Sequence, residues 1–255
     1  MSLRTQRLVY LIAAVVLAAA LLWGMSGLPE VGDYQGPYGD VLNAVAVTER
    51  HAVNVVAAVT FDYRGVDTLV EEYILFAAVL GVAVLLRAQR DEEERSLDDD
   101  IEARRIRDTS TAVRVTGLAL VGLHVVLGLY IVAHGHLSPG GGFQGGVVLA
   151  TGLLMVYLAG RYVTLRRVSP QALTDAAEAA GAGGYVAVGL LGLAVGGAFL
   201  LNVLPLGTPG KLLSAGTIPL INLLVGLEVA GGFVLLLSEF LEQTLIIRGG
   251  PDDES

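Results

Sequence analysis

Few side chains in this chain could do chemistry, and most of them sit inside or beside long apolar runs. Glu228 is the fourteenth of 23 residues in the run from Ala215 to Leu237. A carboxylate at that depth costs roughly 2.5–3.5 kcal/mol on membrane-insertion scales, so it must face a bundle interior, water or a partner, either protonated or paired. His124 is the only other titratable side chain deep in an apolar run. Together they suggest a shared polar path. The ordinary alternative for His124 is a neutral ring hydrogen-bonded to a neighbouring helix.

The stretch from His134 to Gly146, HGHLSPGGGFQGG, is the densest polar turn. Gly140, Gly142 and Gly145 fit the G-x-G-x-x-G pattern, but a dinucleotide loop needs a preceding strand and a βαβ unit. An apolar helix precedes it here, so the match is accidental. His134 and His136 lie two apart and could share an ion only in a non-helical turn. No third ligand is close in sequence, and a structural zinc site wants four, so no metal site is expected. Pro139 lacks an N–H and ends helical structure. The glycines that follow permit backbone shapes closed to other residues. Irregular backbone at membrane depth survives only when buried in protein or lining a wet cavity; a tight outer turn is the simpler alternative. Gly141 with Gly145, and Gly142 with Gly146, form two overlapping G-x-x-x-G pairs that let helices approach closely.

A third candidate is FDYRGVDTL, residues 61–69, followed by Glu71 and Glu72. Asp67 or Thr68 can cap the helix that begins there. Glu71 and Glu72 would lie in its first turn, where the helix dipole favours carboxylates. The functional reading of the same residues is an access point for a proton or cation at the membrane edge.

The elements that must position these groups follow from composition. The chain is 54% hydrophobic with a mean hydropathy of +0.66, too apolar for an ordinary soluble domain. Six runs are long enough to span a bilayer as helices: Leu8–Met25, Leu69–Leu86, Val113–Val132, Phe143–Leu165, Tyr185–Leu204 and Ala215–Leu237. Alternating ten-residue strands are absent, and open sheets cannot span lipid. The fold class is therefore an all-α integral membrane protein with about six transmembrane helices. There is no cysteine, which excludes disulfides and thiolate sites. The net charge of −9 argues against nucleic acid.

Thirteen of the sixteen Lys and Arg residues fall on one side if the N-terminus starts inside, against Arg50, Arg64 and Lys211 on the other. Both termini are thus expected in the cytoplasm. The first run follows Arg4 and Arg7 like a signal peptide, but lacks a convincing cleavage site and precedes further spans, so it reads as an uncleaved span. Residues 26–67 form the longest outer connection, with a polar–apolar stretch near 42–60 that suits a helix lying on the outer surface. Residues 87–112 hold eight acids between Asp91 and Glu102, interleaved with arginines, as in a solvated linker. Residues 166–182 read as an inner loop. The fifth run is glycine-rich and reads as a close-packing face.

With these residues in hand, the chain resembles a known family. His136 with Pro139, Gly140, Gly141, Gly142, Phe143, Gly145 and Gly146 resembles the signature of the MnhB subunit of the Mrp-type multisubunit Na⁺/H⁺ antiporters, whose domain also occurs in membrane-bound hydrogenase complexes. Asp62, Arg64, Asp67 and Glu71 resemble the D-F-R-G-x-D-T motif near the C-terminus of the large subunit of the same antiporters, with Tyr63 where Phe is usual. The resemblance implies a two-span piece over 1–90, a charged cytoplasmic linker over 91–105 and a four-span MnhB-like domain over 106–250. It implies a non-catalytic subunit of a multisubunit cation/proton antiporter in the cell membrane. Its partners would be the other subunits, lipid, and Na⁺ and H⁺ as transported ions, with no cofactor. The alternative is membership of a hydrogenase-like ion-pumping oxidoreductase; a third reading is a purely structural scaffold. Candidates for the ion path are Glu71, His124, His136 and Glu228. Glu228, His124 and His134 rest on the physical argument and not on the family motif.

Overall fold

The computed structural model describes residues 3–28, 32, 36–90, 110–159 and 162–248. The expected linker over 91–105 lies outside the described residues. All regular elements among them are helical: α1 (Leu3–Ser26), α2 (Pro37–Arg50), α3 (Val55–Ala58), a π-helical turn (Val59–Tyr63), α4 (Gly65–Arg90), α5 (Thr111–Ala133), α6 (Gly142–Ala159), α7 (Tyr162–Val168), α8 (Gln171–Gly196) and α9 (Ile218–Arg248). Six of them, α1, α4, α5, α6, α8 and α9, are long and apolar enough to cross a membrane. The chain divides into two units, Met1–Val41 and Leu42–Ser255. The first carries the apolar helix α1. The second carries the other five membrane-length helices.

Within the second unit α9 is the central helix. Over half of its spanning stretch is buried, against 39% or less for the others. It packs on α4, α6 and α8, while α5 packs on α6. Ile218, Ile221, Val225 and Val229 of α9 form the core with Ala57, Ala58, Phe61, Tyr185 and Val188. Small residues set the close approaches. A Cβ on Gly146 would lie 2.8 Å from Val229 Cβ on α9, and one on Gly145 would strike Val132 of α5. Gly142 and Gly146 thus serve the contact with α9, and Gly145 the contact with α5, while Gly141 lies against Asn222 of α9.

Three expectations are corrected. The fifth span is not Tyr185–Leu204. Helix α8 starts earlier, after Pro170, and stops at Gly197, whose φ of +81° is a left-handed cap. The chain then folds back along α8, with the Leu200 N–H donating to the Gly189 carbonyl at 3.2 Å. Gly189 and Gly192 make room for Phe199 and Leu201 of the returning segment, so this glycine face receives the chain itself. Hydropathy cannot register such a reversal inside an apolar run. The fourth span is likewise shorter than Phe143–Leu165: α6 ends at Ala159 and α7 is a separate short helix. The stretch 42–60 is not one helix either. It breaks after Arg50, where His51 takes a φ of 53° and Asn54 caps α3 through Val56 N–H.

Candidate functional site

Residues of the glycine turn after Pro139 and residues between Val56 and Glu72 line one cavity of about 310 Å³. Thr60, Phe61, Thr68, Glu71 and Glu72 line it together with Gly140, Gly141, Phe143 and Gln144 and with Val225 of α9. The wall of glycines is required by shape. Gly140 and Gly141 hold φ values of +130° and +143°, accessible to glycine at no steric cost. A Cβ on Gly141 would lie 2.8 Å from Asn222 Oδ1. Asn222 is fully buried; its Oδ1 accepts the free N–H of Gly142 at the start of α6 at 2.9 Å, and its Nδ2 donates to the Ile218 carbonyl at 3.1 Å. Asn54 ties the other side of the turn. Its Nδ2 donates to the carbonyls of Gly135 at 2.7 Å and Ser138 at 2.9 Å.

The acids divide by exposure. Helix α4 begins at Gly65, ahead of the expected Asp67 or Thr68 cap, so Glu71 and Glu72 fall in its second turn. Glu71 is exposed at the rim, whereas Glu72 is 3% exposed and faces inward. Glu228 of α9 is 1% exposed, and Glu178 of α8 is 5% exposed. Glu228 interacts electrostatically with both Glu72 and Glu178. Each of the three has at least one buried carboxylate oxygen without a hydrogen-bond partner, and Glu228 has two. Buried carboxylates without partners are costly. In a working protein such groups hold protons, water or cations.

Glu178 has no place among the sequence candidates, and Glu72 enters only beside Glu71, as a carboxylate of the helix start or of an access point at the membrane edge. Residues 166–182 read as an inner loop, but they belong mostly to α7 and to the first half of α8. The available signal for Glu178 was Pro170 followed by a helix-compatible run with small residues at 176, 177, 179–184, which extends the fifth span backward past the acid.

The remaining candidates are placed elsewhere. His124 sits on the face of α5 toward α6, its Cβ close to Gly152, and its Nδ1 donates to the Leu120 carbonyl at 2.8 Å. Glu228 packs instead on α8, where a Cβ on Gly181 would lie 2.5 Å from Glu228 Cβ. The two groups thus occupy different helix contacts. His136 is fully buried, with Nε2 donating to the Lys211 carbonyl at 3.4 Å. Burial pushes its ring below the usual histidine range, so it is neutral at pH 7. His134 stacks on Tyr130 with ring centroids 4.1 Å apart.

Asp62 is structural in its contacts: it pairs with Arg50 at 2.7 Å and accepts from Asn202 Nδ2 at 2.8 Å. Asn202 in turn accepts from Thr217 N–H at 2.8 Å, which fixes the approach to α9. Tyr63 donates to Glu49 at 2.9 Å beneath Arg50. Burial, with Glu49 beside it, pushes its hydroxyl up to about 12. Arg64 and Asp67 pair with each other at the surface.

A family model described as a domain related to the MnhB subunit of Na⁺/H⁺ antiporter matches residues 112–235. An uncharacterised protein of Methanocaldococcus jannaschii is 30% identical over 210 residues, covering 75% of this chain and 78% of that one. A probable K⁺/H⁺ antiporter protein of Rhizobium meliloti, an A/B-type subunit, is 31% identical over 143 residues, covering 49% of this chain and 14% of that protein. Among solved structures, a chain of the membrane-bound sulfane sulfur reductase, an archaeal respiratory membrane complex, aligns with a TM-score of 0.71 and 31% identity. The alignment covers 93% of this chain and 98% of that one. The Mrp complex from Dietzia sp. aligns with a TM-score of 0.70 and 29% identity, over 94% of this chain and 26% of the matched chain. The six apolar helices, the glycine turn after Pro139 and these matches agree: this multi-pass protein of the cell membrane belongs to the family of the MnhB subunit of Na⁺/H⁺ antiporters.

Proposed function

We propose that this chain is a membrane subunit of a multisubunit monovalent cation/proton antiporter of the Mrp type, and that it forms an ion vestibule within that assembly. The cavity carries this reading. It joins Glu71 and Glu72 to the Pro139–Phe143 turn, so the stretch that resembles the large antiporter subunit meets the MnhB-like stretch around one space. Oxygen-bearing side chains and carbonyls suit a hard monovalent cation or hydrated proton. The cation is Na⁺ or K⁺, since the relatives are described with both. The charge bias favours cytoplasmic termini, which puts the vestibule on the outer side. The division into a two-span piece over 1–90 and a four-span piece over 106–250 fits the family match, which begins at residue 112. His136, whose contacts are with the outer loop, serves as a pin for that loop; Pro139, Gly140, Gly141 and Gly142 shape the vestibule wall.

A second reading has its own support. The sulfane sulfur reductase chain is covered almost end to end, whereas only 26% of the Mrp chain is covered. On that reading the same vestibule serves a redox-driven ion pump. One experiment separates them. Affinity purification through a tag on this chain, followed by mass spectrometry and antiport assays in membrane vesicles, should recover antiporter subunits and cation-dependent proton exchange that is lost when the chain is deleted. Co-purified redox subunits with flavin or iron–sulfur absorbance would favour the second reading. Full exchange in the deletion strain would refute the first.

A further inference from the structure

We propose that Glu72, Glu228 and Glu178 form a proton-carrying file that starts at the cavity lining and descends about 10 Å into the helix bundle. The inference rests on the cavity being an ion vestibule, and it assigns the route beyond it.

The helix register gives the spacing. Glu72 lies on α4, with Val79 two turns further along the same face. Glu228 lies on α9, with Gly232 one turn further. Glu178 of α8 reaches that level: a Cβ on Gly232 would lie 3.3 Å from Glu178 Oε1 and 3.4 Å from Val79 Cγ2. At 1.5 Å per residue, Glu72 stands about 10 Å above Val79, and Glu228 about 6 Å above Gly232. The three acids therefore descend in steps of about one helical turn, on three different helices. Glycine marks the step between α9 and α8. Gly181 admits Glu228 against α8, and Gly231 and Gly232 admit the Glu178 segment against α9. Two turns below Gly232 on α9, the buried Glu239 accepts from Gln171 Nε2 at 3.5 Å, which extends the polar series toward the other end of the bundle.

The chemistry favours a proton as cargo. Among the described residues no three His, Cys, Asp or Glu side chains converge so as to hold one metal ion, so the acids act singly, in sequence. None of the three pairs with a basic side chain among the described residues. Their charged and titratable neighbours are Glu71 and Tyr185 beside Glu72, and Asp175 beside Glu178. Tyr185 is committed, its hydroxyl donating to the Gly65 carbonyl at 2.9 Å. In each step an O–H bond breaks on the donor acid as one forms on the next carboxylate, directly or across one water. The donor returns to its anionic form, and no electrons move.

The test is carbodiimide labelling of the purified complex containing the full chain. The reagent attacks protonated carboxyl groups in apolar surroundings, and peptide mass spectrometry locates it. Label is expected on Glu228 and Glu178, falling as pH rises and indifferent to Na⁺ or K⁺ at constant pH. Absence of label on both acids, or protection of both by the cation, would overturn the proposal. Labelling needs no exchange activity, so it decides the file even if the complex proves not to be an antiporter. In vesicles, Glu178→Gln should slow proton movement by about a hundredfold with the subunit composition unchanged, and Glu178→Asp should restore part of it. An unaltered rate in Glu178→Gln would also overturn the file.

Discussion

Replacing Gly181 by Ala tests the packing on which the buried acids depend. The added Cβ would lie 2.5 Å from Glu228 Cβ, 2.6 Å from Glu228 N and 2.6 Å from the Leu224 carbonyl oxygen, where ordinary contact is 3.4–4 Å. Two of these are backbone atoms, so no rotamer change relieves them, and α8 and α9 must separate locally by about 1 Å. Overpacking of this kind costs about 1–3 kcal/mol, while alanine in place of a helical glycine returns up to about 1 kcal/mol. Gly183 supplies the control. It lies two residues along the same helix, and a Cβ there meets nothing within 4 Å. Comparing the two variants cancels the propensity gain and leaves the steric cost. The assay is thermal or detergent-induced unfolding of the purified complex. Gly181→Ala should be about 1–3 kcal/mol less stable than Gly183→Ala. Equal stability of the two would refute the close approach of α8 and α9 at Glu228.

Other consequences follow from the same contacts. Asn222→Ala removes the acceptor for the Gly142 N–H and should cost about 1–3 kcal/mol, because it leaves a buried donor unpaired; an unchanged unfolding midpoint would contradict this. His136 gains its proton in the folded state only below its ordinary value of 6.5, so the unfolded chain binds more protons in that window. Stability should be full above about pH 6.5 and fall as pH drops below it. Denaturation of wild type and His136→Gln at a series of pH values checks this: only wild type should show the step. Asp62→Asn keeps the side-chain shape but removes the charge facing Arg50. It should loosen the segment 198–217, read as faster protease cleavage there, with wild-type cleavage as the contradicting result.

The sequence patterns carried the gross architecture because bilayer thickness constrains helix length so strongly. The six spans, the proline–glycine break at 139–142 and the buried Glu228 all follow from hydropathy and the cost of charge in lipid. What they could not carry is contact between distant segments. Nothing local shows that Asn222 reaches the break, or that Thr60, Glu72 and Gly141 line one cavity. Glu178 escaped notice because Thr174, Asp175 and Glu178 dilute the apolar signal at the start of α8. The return of residues 198–203 along α8 escaped because an apolar run that doubles back reads like one that continues. His124 shows the reverse case. Its depth in a span suggests a polar path, and the structure adds that its Nδ1 is bonded to the Leu120 carbonyl of its own helix.

The vestibule itself can be probed directly, because the chain has no cysteine of its own. Thr60 lines the cavity, and Leu213, 88% exposed on the outer loop, lies apart from its lining. Thr60→Cys and Leu213→Cys, each in the intact complex, are treated with a cationic methanethiosulfonate and assayed for cation-dependent proton exchange in vesicles. Modification at Thr60→Cys should abolish most exchange and modification at Leu213→Cys should leave it intact. Full exchange in a completely modified Thr60→Cys complex would contradict the placement of the ion route through this cavity.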